Sequence, residues 1–272
     1  MTLDLPVVFA VLMGVVVLAY VVLDGYDLGV GMLLPAADPR EQNVMVSSIG
    51  PFWDANETWL VLGVALLLAQ GLMLGSYITG FAPGFGYALL SLVVAGGLCG
   101  GYVLLRATWL ILRTEGALQR KAVAWARWGL LWVALGVALV SIATPLASES
   151  VRDKWFDFPR TLGLMLLPLA SLAAWLWVWR ISGRIRKGEA VPDWAPFAGT
   201  IAIYALAFLG LPYSLFPYLV MDRITIWEAA AHPSSLKLVL IGALIVLPFI
   251  IGWTAYVYRV FRGKATGTLY DH

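Results

Sequence analysis

Two carboxylates three residues apart, Asp24 and Asp27, stand inside the apolar stretch AYVVLDGYDLGVGMLLP. On a helix this spacing puts both on one face. Asp24 precedes Leu34 by about 15 Å of helical rise. An ionised, unpaired carboxylate at that depth costs several kcal/mol. Such a group is therefore either protonated or tied to a partner, and both states suit a proton relay. Gly25, Gly29 and Gly31 strip bulk from the same region, so a second helix can approach closely. The competing expectation ends the first helix near Val22 and makes DGYDLG an interfacial turn with glycine at its bends. The apolar run that follows the acids up to Pro35 argues against it.

A second pair, Asp54 and Glu57, repeats the spacing in GPFWDANETWLV, with Asn56 between them. Proline opens helices and acids in a first turn complement the helix dipole, so this pair has a purely structural explanation. Trp53 and Trp59 mark an interfacial belt. That setting places the pair at a helix mouth, on the side of the membrane where the Asp24/Asp27 helix ends. Four acids and an amide at one corner form a candidate inlet for protons or another cation. Arg106, in GGYVLLRATWLILRTEG, lies about two turns inside its helix. Its expected course is to snorkel to the interface; the alternative is to neutralise one of the buried acids.

The elements that position these groups follow from composition. The 272 residues are 61% hydrophobic and 12% charged, with mean hydropathy +0.85, against roughly 25% charge in ordinary globular domains. Lipid must be the solvent. A net charge of +2 gives no reason to expect nucleic acid as a partner. Seven apolar stretches reach the length of a spanning helix: roughly 6–34, 55–80, 85–112, 123–145, 161–181, 196–219 and 236–261. The first has no basic leader or small-residue cleavage site and is expected to be retained. Short connections such as FAPGFG and AVPDWAP leave no room for a soluble domain, so residues 1–272 are expected to form one all-α, polytopic integral membrane bundle. Pro212 and Pro217 fall within the sixth stretch and predict a kink repaired by neighbouring helices.

Twelve of the eighteen Lys and Arg fall in the loops after the first, third and fifth stretches and in the tail; five fall on the opposite side. The positive-inside rule then puts the N-terminus outside, the C-terminus in the cytoplasm and the acids near the cytoplasmic face. The two histidines, His232 and His272, lie outside the spans, and Cys99 is the single cysteine. A His-ligated haem within the membrane cannot be built from this chain alone. No metal-site, phosphate-loop or nucleophile-elbow motif is present.

The blocks LDGYDLGVGMLLP, GPFWDANETWLV, ATWLILRTEGALQ, SLFPYLV, ITIWEAAAHPSSLK and LPFIIGWTAYVYRVFRGK resemble, in order, subunit II of cytochrome bd-type quinol oxidases, including the cyanide-insensitive branch. The resemblance implies a bacterial inner-membrane protein without haem or catalytic residues of its own. Its partner would be a haem-bearing subunit I that carries haems b and d, oxidises quinol and reduces oxygen to water. It leaves room for a small accessory subunit, with membrane lipid around the complex. In that family the first carboxylate of DGYD and the one after Trp in the WD block, here Asp24 and Asp54, are associated with a proton path. WLVLGVALLLA runs directly into QGLMLGSYITG, where typical members carry about two further helices, so seven spans stand where nine would be expected. The alternative from the residues alone is a small proton- or cation-coupled transporter using the same acids; a weaker one is a structural membrane protein whose acids bond between helices.

Overall fold

The computed structural model describes residues 4–50, 57–158 and 160–265. Helix α1 spans Leu5–Leu33; Asp4 caps it by accepting from the Val7 amide, and Pro6 sits in its first turn. It runs unbroken through Asp24 and Asp27, which overturns the interfacial-turn alternative. The glycines there cost helix propensity but face a packed neighbour. The connection after it carries a short helix, α2 (Pro39–Ser47), which the list of spans did not contain. The Asp38 side chain accepts from the Glu41 amide while Glu41 accepts from that of Asp38, a reciprocal cap.

The long helices follow in order: α3 (Glu57–Ile78), α4 (Phe85–Arg113) and α5 (Gly116–Ala147). Two short helices, α6 (Glu149–Phe156) and α7 (Arg160–Leu164), lead into α8 (Leu166–Arg186), α9 (Trp194–Leu215) and α10 (Pro233–Val260). Among the described residues six helices are long and apolar enough to cross a membrane: α1, α4, α5, α7 with α8, α9 and α10. Helix α3 adds 22 residues, apolar over Leu67–Ile78. The fifth span is interrupted at Met165 and extends to Arg186, beyond the expected 181. The sixth stops at Leu215, short of 219; Pro212 is carried inside it and Pro217 lies past its end. A two-stranded antiparallel hairpin follows, β1 (Tyr218–Val220) and β2 (Ile224–Thr225), an addition to the all-α expectation.

Helix α4 is the axis of the bundle and packs against α1, α3, α5 and α9. Its stretch from Leu104 to Ile111 is buried throughout. Glycines set the approach. A Cβ on Gly71 or Gly75 of α3 would fall 2.3 Å or 2.4 Å from the Cα atoms of Ala95 and Ser91. Tyr102 and Leu105 of α4 lie over Gly25 of α1, where a Cβ would fall 2.8 Å and 2.9 Å from their side chains. Two of the α1 glycines read as bulk-clearing, Gly25 and Gly29, thus do receive a second helix.

The loops separate into two ends. At one end Lys121 bonds Glu41 at 2.6 Å, Gln119 bonds Asp193 at 3.2 Å and Lys264 bonds Asp193 at 2.5 Å, joining α2, α5, the start of α9 and the tail. At the other, the Trp227 indole donates to Asp4 at 3.1 Å, the Tyr77 hydroxyl donates to the Leu219 carbonyl, and Ser148 and Ser150 donate to Asp222 at 3.0 and 2.7 Å.

Candidate functional site

The site lies where α1 and α4 cross, near the first of these ends. Tyr102, Arg106, Trp109 and Arg113 recur every three or four residues and line one face of α4. A Cβ on Gly29 would stand 2.8 Å from the Cβ of Arg106, so α1 presents no side chain at that point. Arg106 is fully buried. This corrects the expectation that it snorkels. The reason lies in α2, whose end supplies acceptors at depth: Nη2 of Arg106 donates to the Met45 carbonyl at 2.7 Å and to Ser48 Oγ at 3.0 Å. Ser48 in turn donates to the Met45 carbonyl at 2.7 Å.

Asp27 is 5% exposed and interacts electrostatically with the Arg106 guanidinium. A buried cation beside a buried carboxylate offsets a desolvation cost that neither could bear alone. The Nε and Nη1 atoms of Arg106 make no hydrogen bond among the described residues.

Tyr26, the residue before Asp27, is 2% exposed and stacks on Trp109 with ring centroids 4.3 Å apart. Its hydroxyl is hydrogen-bonded to that of Tyr258 on α10. Phe197 of α9 and Tyr258 meet Trp109 edge-on at 5.3 and 6.1 Å. The Arg113 guanidinium lies 5.4 Å from the same indole, within the range of a cation–π contact. Beyond Arg113 the tail closes in: the Ala265 amide donates to the Arg113 carbonyl at 2.7 Å, and Lys264 donates to the Thr114 carbonyl at 3.1 Å.

Of the residues singled out from sequence, Asp27 and Arg106 are brought together. Asp24 lies on α1 one turn before Asp27, but its side chain is outside the described ones, as is that of Glu57, the first residue of α3. Asp54 and Asn56 lie outside the described residues. Sequence reasoning missed Tyr26, Ser48, Trp109, Arg113 and Tyr258. The helical recurrence of Trp109 and Arg113 with Arg106 was the available signal for two of them. His232 caps α10 and shares its Nδ1 with the Ser234 hydroxyl at 2.8 Å, outside the spans.

An apolar helical bundle that buries a carboxylate and a guanidinium between its spans defines a multi-pass membrane protein. Residues 5–70 and 66–261 match the family model of cytochrome bd terminal oxidase subunit II, and the chain belongs to that family. It is similar to the cytochrome bd ubiquinol oxidase subunit 2 of Bacillus subtilis (strain 168), 26% identical, with 94% of this chain and 95% of that protein aligned. It is also similar to the cytochrome bd-I ubiquinol oxidase subunit 2 of Escherichia coli K12, 37% identical over 87 residues, and to a probable cytochrome oxidase subunit 2 of Haemophilus influenzae, 35% identical over 88. Each of these two matches takes in 31% of this chain and 22% of the relative, so the chain matches about a fifth of their length. These relatives and the apolar helices place the chain in the bacterial inner membrane as a multi-pass protein.

The Bacillus alignment runs over 337 positions, more than the 272 residues present, so that relative carries stretches this chain lacks. The two family matches overlap at residues 66–70, inside α3. That is the junction at which the sequence departs from the family pattern, and the helix is continuous across it.

Proposed function

We propose that this chain is the haem-free subunit of a bd-type quinol:oxygen oxidoreductase, holding a haem-bearing subunit I in the membrane and supplying a cytoplasmic-side proton path. The observation that carries the reading is the buried Asp27 carboxylate beside Arg106 in a member of the subunit II family. Haems b and d supply the electron chemistry from the partner, because the histidines of this chain lie outside its spans. Quinol is the substrate of the complex. The N-terminus faces outward and the C-terminus the cytoplasm, with the Asp27 end of the bundle inside.

The work of this chain is protonic. Asp27, buried beside Arg106, is the carboxylate that takes up a proton from the cytoplasmic side. Burial keeps that proton from exchanging with the outer face. Asp24, one helical turn deeper, receives it next. Asp54, Asn56 and Glu57 gather protons at the mouth.

The test is purification followed by substitution. A haem-containing partner should travel with the chain, and the complex should take up oxygen when given quinol. Asp24→Asn and Asp54→Asn should slow turnover and proton uptake at near-normal haem content. Solute uptake by vesicles holding this chain alone would overturn the reading in favour of a transporter.

A further inference from the structure

A second polar approach to Asp27 runs through residues that the carboxylate pairs do not include. It begins at Asp193 and Lys264, whose side chains keep 36% and 31% of their surface exposed and bond each other at 2.5 Å. Lys264 also bonds the carbonyl of Thr114, the residue after Arg113. Arg113 interacts electrostatically with both Tyr258 and Tyr26. The two tyrosine hydroxyls are bonded to each other, and Tyr26 interacts electrostatically with Asp27. Polar groups thus line the way from half-exposed surface to buried carboxylate, between walls formed by Trp109 and Phe197.

Helix α10 contributes no buried residue to the bundle, and a phenylalanine at position 258 would meet Trp109 equally well. What the tyrosine adds is a hydroxyl aimed at another hydroxyl. Arg113 beside the pair repels a hydrated metal cation, whereas a hop between hydroxyls carries no ion past that point.

We propose that protons reach Asp27 through the paired hydroxyls of Tyr258 and Tyr26, taken up at the Asp193–Lys264 mouth. The inference rests on the reading that Asp27 carries protons for an oxidase. A hydronium at the mouth gives a proton to Tyr258 Oη and is left as water, as the proton of Tyr258 passes to Tyr26 Oη. The proton of Tyr26 passes through one bridging water to the Asp27 carboxylate. Each hydroxyl ends with one hydrogen, Asp27 gains one, and nothing is oxidised or reduced. Rotation of the two hydroxyls resets the relay, and no phenolate forms.

The experiment compares Tyr258→Phe, Asp193→Asn and Asp27→Asn in the assembled complex, with turnover normalised to haem content. Tyr258→Phe should lower turnover several-fold and enlarge the solvent deuterium isotope effect at unchanged haem content. Asp193→Asn, at a half-exposed position, should slow turnover as well at unchanged haem content. If Asp27→Asn is slow while the other two match the unmodified complex, the route is overturned and the role of Asp27 stands. If Asp27→Asn is also unaffected, the underlying proton-path reading fails. A loss in Tyr258→Phe that merely tracks lost haem, with Asp193→Asn unaffected, makes the hydroxyl pair a structural tie and overturns the relay.

Discussion

Gly29 on α1 and Arg106 on α4 meet with no side chain between them. A Cβ on Gly29 would fall 2.6 Å from the Tyr102 carbonyl oxygen and 2.8 Å from the Cβ of Arg106. This contact seats the guanidinium beside Asp27. The first obstacle is backbone and cannot move aside cheaply. Gly29→Ala should therefore lower stability by about 1–3 kcal/mol, the range for overpacking. Gly86→Ala, where a Cβ meets nothing within 4 Å, should leave it unchanged or slightly raised. Thermal unfolding of the detergent-solubilised protein measures both, and a Gly29→Ala protein as stable as Gly86→Ala would refute the close packing.

The Arg106–Asp27 pair predicts a non-additive cycle. Arg106→Met takes the cationic neighbour from the buried Asp27 carboxylate and should cost about 3–5 kcal/mol. Adding Asp27→Leu removes that carboxylate and should restore part of the loss, because two apolar residues replace two buried ions. Equal stability losses for the double and the summed single variants would show that the groups do not interact. Turnover should be lost in all three, so stability and activity part company in the double variant.

The sequence made the spans legible, because apolar runs of this length have few alternatives, and it made the glycine face of α1 legible for the same steric reason the structure displays. The continuation of α1 through Asp24 and Asp27 followed from the apolar residues after them. The fate of Arg106 did not follow. Its depth in the helix was readable, but the acceptors at Met45 and Ser48 come from the end of α2, about sixty residues away in the chain and within the connection between two apolar runs. The signal for α2 was present in DPRE, an acid three residues before a glutamate with proline between. The Tyr26–Tyr258 pairing joins the first and last long helices, and no local periodicity encodes such a contact. The hairpin after α9 was equally hidden, since its strands are only three and two residues long.

Glu228 gives a pH-dependent marker for the end of the bundle remote from Asp27. Its carboxylate accepts from the Thr225 amide at 2.7 Å and from the Thr225 hydroxyl at 2.9 Å, and these bonds hold it below the ordinary glutamate range. A folded-state pKa below the unfolded one means the bonds stabilise the turn above the unfolded value, about 4.3. The contribution fades as pH falls through the folded value. The protection factor of the Thr225 amide, its exchange measured against the intrinsic rate at each pH, should be high at neutral pH and fall on acidification. In Glu228→Gln that protection should be low throughout and lose most of its pH dependence; an unaltered acid limb in this variant would assign the effect elsewhere.

Asp222 closes the same end and separates two physical effects. Its φ of 55° lies in the left-handed region, where an ordinary side chain costs about 1–2 kcal/mol and Asn or Asp is better tolerated. Its carboxylate also accepts from Ser148 and Ser150, and Ser148 caps α6 by accepting from the Val151 amide. Alanine here loses both hydroxyl contacts and carries the backbone strain. Glycine loses the contacts but relieves the strain, while asparagine keeps one acceptor and the conformational tolerance. Thermal unfolding should rank the losses with alanine largest, glycine next and asparagine smallest. If glycine proves as damaging as alanine, the hydroxyl contacts dominate and the backbone conformation contributes little. If alanine is tolerated as well as asparagine, neither effect holds the loop, and the junction of α5 and α6 is set by packing around Val151, Leu215 and Met221 instead.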